Sequence, residues 1–242
     1  MYRQLPDPST TCPAPSAAAR TDARGSDCAQ CAVRGRAICA ALSPQEMDAL
    51  DQATSAQSYA PGSTLVRAGD TRHHVYTLTS GALRMVRTLA DGRRQVTGFV
   101  LPGDYVGLTE TPQHRHDIEA IIDSRVCRTP LAQMRQLRER YPQLQRKLLQ
   151  RASMELAAAQ DTSLLLARLQ PGERLAHFLL RLAARSTQPG ASGDTVALPM
   201  SRSDIADHLG LTVETVSRTF TKLRQQCRLP AIQCQLKLEV CG

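Results

Sequence analysis

Eight of the 242 residues are cysteines, and the spacing of four of them suits metal binding. Cys28, Cys31 and Cys39 fall within twelve residues as C-x2-C-x7-C, and Cys127 stands alone almost ninety residues further on. Three clustered thiolates and one distant one can close a tetrahedral zinc site or hold an iron–sulfur cluster. Either would tie the N-terminal segment to the body of the fold. Cys12, Cys227, Cys234 and Cys241 lack such spacing and read as small buried hydrophobes. The histidines of His73-His74 and His114-x-His116 read as loop or surface residues rather than ligands.

A second set of residues suits nucleic acid. Ser201-Arg202-Ser203-Asp204 has capping-box spacing and opens a short helix that Gly210 ends. Thr212 then caps a second helix, reading Val213 to Leu223. Ile205, Ala206, Leu209, Leu211, Val216, Phe220 and Leu223 can share one core, which leaves Glu214, Ser217, Arg218, Thr221 and Lys222 exposed. This is helix-turn-helix logic, in which the second helix enters the major groove of double-stranded DNA. Arg218 can fork onto guanine, Glu214 can accept from a cytosine amino group, and Ser217 can reach either partner. Arg202, Lys222 and Arg224 fit phosphate contacts, which position without specifying.

The elements that must position these groups are legible in outline. Ser43, Pro44 and Glu46 start a helix that should run to about Leu50. Residues 56–128 hold short β-rich runs such as Ser63–Arg67, Val75–Leu78 and Ala82–Arg87, punctuated by glycines. Asp91-Gly92 between two runs predicts a hairpin, and the whole predicts a small antiparallel barrel or roll. From Pro130 the period is helical. A short helix stops before Pro142, and a long one runs to about Leu169, spanning roughly 42 Å. Its seam of Leu144, Leu148, Ala152, Leu156, Ala159, Ser163 and Leu166 suits a partner helix, with burial against the chain's own roll as the alternative. An amphipathic helix, Glu173–Arg185, and a flexible stretch, Thr187–Asp194, lead to the reader. Leu229–Val240 alternates as a β-hairpin wing would.

Composition narrows the classes. Residues 1–130 carry 14 arginines against 13 acids, whereas residues 131–242 carry 16 basic residues against nine acids. The basic half is what a phosphate-binding surface needs. No run of apolar residues is long enough for a membrane span, and the first 27 residues lack the apolar stretch of a secretory signal. A cytoplasmic protein with reduced thiols is expected. There is no G-x-G-x-x-G after a strand, no P-loop, no nucleophile elbow and no H-E-x-x-H, so an enzyme is not expected. An iron–sulfur electron-transfer protein is the remote alternative.

The order of roll, long helix and winged helix-turn-helix resembles the CRP/FNR family of bacterial transcription regulators over roughly residues 28–240. Its FNR-like, oxygen-responsive branch is similar in the cysteine set and in three further stretches. These are Asp91-Gly92-Arg93-Arg94-Gln95-Val96-Thr97-Gly98-Phe99, Gly103-Asp104-Tyr105-Val106-Gly107 and Gly210–Arg218. The C-x2-C-x7-C spacing resembles that of FnrN/FixK-type members. The resemblance implies an α+β chain with a disordered tail (1–27) and a cysteine segment with a cyclic-nucleotide-binding-like β-roll (28–129). A short helix and a long dimerisation helix (130–170) and a winged helix-turn-helix (171–242) complete it.

It also implies an oxygen-labile [4Fe–4S] cluster on Cys28, Cys31, Cys39 and Cys127, and a homodimer favoured in low oxygen. Glu214, Ser217 and Arg218 match the family's base-reading residues and imply a palindrome resembling TTGAT-N4-ATCAA. Val96, Thr97 and Gly98 lie where the family meets RNA polymerase. Departures are equally specific. After Gly107 the chain reads Leu108-Thr109-Glu110-Thr111-Pro112-Gln113-His114, without the phosphate-cradling cassette of the cyclic-nucleotide binders. No cyclic nucleotide is therefore expected. Ala157-Ala158-Ala159 lacks an acid that would oppose its twin across a dimer seam, so weaker dependence of the dimer on the cluster is expected. Zinc or thiol oxidation at the same cysteines remains the alternative signal, since all three use thiolates.

Overall fold

A computed structural model of the chain describes residues 20–21, 28–186 and 198–226. The rest of the expected tail, the stretch Thr187–Asp194, the wing, and Cys12, Cys227, Cys234 and Cys241 lie outside the described residues. Two residues of the expected tail form a strand: β1 (Arg20–Thr21) pairs antiparallel with β2 (Ser55–Tyr59).

Short 3-10 turns at Cys28–Gln30 and Ile38–Ala41 carry the clustered cysteines. Helix α1 (Pro44–Ala53) starts on the expected capping box, with the Ser43 N–H donating to the Glu46 carboxylate at 2.8 Å. It runs a turn beyond Leu50, to where the Thr54 hydroxyl donates to the Leu50 carbonyl at 2.7 Å.

The remaining strands are β3 (Thr64–Val66), β4 (His74–Ser80), β5 (Leu83–Thr88), β6 (Arg94–Val100), β7 (Tyr105–Val106), β8 (Asp117–Ala120) and β9 (Ser124–Pro130). They form two antiparallel sheets, ordered β1-β2-β9-β4-β7 and β3-β8-β5-β6. Asp91-Gly92 turns the β5–β6 hairpin as expected, with the Leu89 N–H donating to the Arg93 carbonyl at 2.8 Å. Gly92 sits at φ +83°, a conformation glycine adopts without a Cβ penalty. Tyr59, Tyr76, Leu78 and Val126 of one sheet pack against Leu65, Leu83, Val100 and Ile118 of the other. Because strand side chains alternate, β4 and β9 turn Thr77, Thr79, Cys127 and Thr129 to the opposite face. There the cysteine segment and the helices cover them.

Helices α2 (Leu131–Arg140) and α3 (Pro142–Arg168) follow. The 27 residues of α3 span about 40 Å. Burial against the chain's own roll holds for the first half of the seam alone. Leu144 and Leu148 are buried with Ile38, Leu42, Met47 and Met134 in the chain's own core. Leu156, Ala159, Ser163 and Leu166 are exposed, together with Leu149, Met154 and Leu164. Helices α4 (Pro171–Ser186), α5 (Arg202–Leu209) and α6 (Val213–Gln226) close a third core around Leu175, Ile205, Val216 and Phe220. No helix among the described residues is long and apolar enough to cross a membrane.

Candidate functional site

The four sequence-selected cysteines line one cavity. Cys28 and Cys31 come from the first 3-10 turn and its exit, Cys39 from the second turn, and Cys127 from β9. The turns are held by short backbone bonds, among them the Arg34 N–H to the Cys31 carbonyl at 3.0 Å and the Leu42 N–H to the Cys39 carbonyl at 3.0 Å. Strand pairing fixes Cys127 independently, opposite Ala56 on β2 and Thr77 on β4. Val33, Ala37, Ile38, Leu50 and Met134 supply apolar wall, and Thr54, Thr77, Thr79 and Thr129 supply hydroxyls.

All four thiols are half-buried, and none is in a disulfide. Burial pushes the Cys39 thiol up; the neighbouring Cys31 adds to this, and Arg34 opposes it. A metal that displaces this proton would relieve that cost, so ligation here couples to pH. The donors ring a cavity rather than gather at a point. Among the described residues no three His, Cys, Asp or Glu side chains converge closely enough to hold a single metal ion. Four thiols on one cavity wall are a donor set that either zinc or an iron–sulfur group could use. His74, His114 and His116 lie away from the cysteines; His74 Nε2 is 2.8 Å from the Arg128 guanidinium.

The reader forms as its sequence dictates. The Ser201 hydroxyl accepts from the Asp204 N–H at 3.0 Å, and the Asp204 carboxylate accepts from the Ser201 N–H at 3.1 Å. Gly210 closes α5 in the left-handed region, at φ +62°. Thr212 caps α6 by accepting from the Thr215 N–H at 3.1 Å. Glu214, Arg218, Thr221 and Lys222 are exposed on α6, one turn apart or nearly so. Ser217 is half-buried and accepts from Arg202 at 3.2 Å. Arg202 is thus drawn inward: its guanidinium also lies over the Phe220 ring, 5.9 Å from the centroid. These contacts brace the reading helix. The side chain of Arg224 lies outside the described residues.

A third set of contacts, absent from the sequence reading, joins reader and roll. Arg84 of β5 bonds Glu119 at 2.9 Å on the neighbouring strand and Asp204 at 2.7 Å on α5. The Val96 N–H donates to the Asp207 carboxylate at 3.1 Å, and His208 Nδ1 lies 3.2 Å from the Val96 carbonyl. His208 packs between Phe99 and Phe178, its centroid 5.2 and 5.7 Å from theirs. Gln95 donates to the Asp207 carbonyl, and Arg185 pairs with Asp104. Val96 is therefore buried beneath the chain's own α5, and Gly98 is half-buried. Of the three residues expected to face RNA polymerase, Thr97 alone is exposed. Arg174 also bridges, donating to Leu166 and Leu169 at the end of α3 and to Leu209 at the end of α5. A cation at two helix C-termini complements their unpaired carbonyls. Only the Arg84–Glu119 strand pair carries even a weak sequence signal; the 120-residue separation of Arg84 and Asp204 carries none.

A roll joined by a long helix to a helix-turn-helix defines a DNA-binding regulator rather than an enzyme. A family profile described as a cyclic nucleotide-binding domain matches residues 56–141, and one described as a Crp-like helix-turn-helix domain matches 173–228. The nitrogen fixation regulation protein FixK of Bradyrhizobium diazoefficiens is 38% identical over 214 residues, 88% of this chain and 90% of its own. The transcriptional activator protein FnrA of Stutzerimonas stutzeri is 38% identical over 211 residues, 86% of each chain. The structure of FixK2 from Bradyrhizobium japonicum superposes with a TM-score of 0.65 at 40% identity, covering 72% of this chain and 85% of that one. The chain belongs to the CRP/FNR family of transcription regulators, on its FNR-like branch.

Proposed function

We propose that this regulator senses oxygen through a [4Fe–4S] cluster held by Cys28, Cys31, Cys39 and Cys127. One observation carries the reading: thiols from two distant parts of the chain line a single apolar cavity. When bound, such a group supplies a centre that dioxygen dismantles. The chain's own residues would do the rest. The four thiolates clamp the N-terminal turns onto β9 and onto the core that contains Leu144 and Leu148 of α3, so the occupied cavity steadies the base of the long helix. Beyond that base, α3 exposes Leu156, Leu164 and Leu166, a surface suited to a second copy of the helix in a homodimer. Two readers related by a two-fold would meet half-sites about one helical turn apart, in a palindrome resembling TTGAT-N4-ATCAA. Glu214, Ser217 and Arg218 would read base edges; Thr212, Thr221 and Lys222 would border the backbone.

The relatives named as transcriptional activators support activation of transcription; a contact with RNA polymerase in the cytoplasm, with Thr97 as its accessible part, belongs to the same proposal. Cyclic nucleotide is not the proposed ligand. Past Gly107 the carbonyls of Gly107, Thr109 and Thr111 all accept from the buried guanidinium of Arg72. A phosphate cradle requires backbone donors turned inward.

The decisive experiment is purification without oxygen, followed by visible absorbance and iron and sulfide analysis. The wild-type protein should carry four irons and four sulfides by the proposed stoichiometry, and Cys127→Ala should be colourless. Colourless wild-type protein carrying zinc would replace the cluster with the rival signal. Undiminished cluster content in Cys127→Ala would remove that residue from the ligand set. The dimer has its own test. With no acid in Ala157-Ala158-Ala159, protein stripped of metal should still sediment partly as a dimer at micromolar concentration. Monomer alone would show strict dependence on the cluster.

A further inference from the structure

Four threonines share the cavity wall with the cysteines, and their hydroxyl protons are not equally committed. A hydroxyl has one proton to donate. Thr54 spends its proton on the Leu50 carbonyl at 2.7 Å. Its contact with Thr129, at 2.9 Å, must therefore be donated by Thr129. Thr79 donates to the Arg125 carbonyl at 2.8 Å. That leaves Thr77, whose half-buried hydroxyl has no acceptor among the described residues. Thr77 is also the direct cross-strand partner of Cys127 in the β4–β9 register. Directly opposed residues on one face of an antiparallel pair lie with their Cβ atoms about 4.5–5.5 Å apart. A χ1 rotation then brings a threonine hydroxyl within reach of a cysteine sulfur.

We propose that Thr77 is a tuning residue for the thiol site, donating its spare hydroxyl proton to the sulfur side of the bound group at Cys127. The inference rests on the cluster reading above. Hydrogen bonds to thiolate and sulfide draw electron density from the sulfurs, favour the more reduced state, and set both potential and lability. Thr77 thus makes the site harder to oxidise and slows its loss in air. Thr54, Thr79 and Thr129 hold the wall together and do not tune it.

The test compares wild-type protein with Thr77→Val and Thr77→Ala, which remove the hydroxyl, and Thr77→Ser, which keeps it. Thr79→Val serves as the wall control. All are prepared without oxygen and matched by iron and sulfide content. The measurements are the midpoint potential and the decay of visible absorbance after exposure to air. Only the difference in this bond between the two redox states moves the equilibrium, and losing a bond about tenfold stronger to the reduced state gives a change of about tenfold. For a one-electron couple that is a potential lowered by ~59 mV. Thr77→Val and Thr77→Ala should both show it and should bleach several-fold faster. Thr77→Ser and Thr79→Val should match wild type. Two hydroxyl-free variants guard against one that fails to load. Equal potentials and equal decay at equal cluster content, or a serine variant shifted as far as valine, would overturn the role of Thr77 alone. Wild-type protein without iron and sulfide would overturn the cluster reading, and this inference with it.

Discussion

The β2/β9/β4 sheet and the β5/β6/β8 sheet are each covered by another part of the chain, and the two covers are made differently. Over the first lie Ile38, Leu42, Met47, Leu50 and Met134, an apolar layer interrupted by thiols and hydroxyls. Over the second lie Asp204, Asp207 and His208, held by Arg84, by the Val96 backbone and by two phenylalanine rings. Apolar packing is non-directional and scales with area, so the first cover can accept a bound group in its hollow without losing its grip. Charged hydrogen bonds are directional, so the second cover fixes how the reader sits and fails abruptly when a partner is removed. A sensor benefits from the first kind of contact and a switchable reader from the second.

That contrast can be broken at either face. Leu144 is fully buried between α3 and the cysteine segment. Leu144→Ala should cost about 2–5 kcal/mol by denaturant unfolding, the usual price of an unfilled core cavity. A cost well under one kcal/mol would show that α3 does not anchor the thiol segment. Arg84→Ala acts on the other face. The guanidinium and its partner Asp204 are both largely shielded, with side-chain exposures of 25% and 9%. Losing this charged bond should cost about 1.5–3 kcal/mol, seen as faster hydrogen exchange at the Val96 amide beneath α5. Unchanged exchange there would mean that the aromatic contacts alone hold the reader.

The same contrast explains what was legible in the sequence. Local rules act within a few residues, so Ser43–Glu46, Asp91-Gly92, Ser201–Asp204, Gly210 and Thr212 form the caps and turns their types predict. That Cys28, Cys31, Cys39 and Cys127 belong together was legible in their residue type and spacing, and one cavity gathers them, although only the β9 register shows what Cys127 faces. The β-roll was readable as many short strands, but its pairing order was not, since pairing depends on contacts far apart in the chain. The reader's docking was hidden for the same reason. The family resemblance placed Val96 at an outer surface, yet α5 covers it. Arg202, expected at phosphate, also meets the Phe220 ring and Ser217, contacts its residue type does not announce. Residue type reveals what a charge can bind, not which of two available partners lies nearer.

Within the reader, Arg218 is exposed on α6, unlike the inward-drawn Arg202, and the two should separate cleanly. Arg218→Ala should relax discrimination at one base pair of each half-site by roughly 1–3 kcal/mol. A uniform loss across all sequences would demote it to a phosphate contact. Arg202→Ala should instead weaken binding through a loosened α6, with a lower melting temperature and little change in base preference.

The mildest perturbation is pH, and it bears on the reader's cover alone. Burial beside Phe99 and Phe178 holds His208 below its ordinary value of 6.5; Arg181 lowers it further, while the Val96 carbonyl and Asp207 pull the other way. The docked reader thus binds a proton less readily at His208 than the undocked one. Stability from this site is fully present above pH 6.5 and declines as pH falls below it, because the released imidazole protonates first. Protection of the Val96 amide, taken relative to its intrinsic exchange rate at each pH, should therefore fall on acidification more in wild-type protein than in His208→Gln, whose side chain does not titrate. The thiol cover has no histidine in its wall, so Leu144 amide exchange should not follow the same profile. If both amides respond together, the two covers form one cooperative unit, and the difference between them is one of chemistry rather than of independent movement.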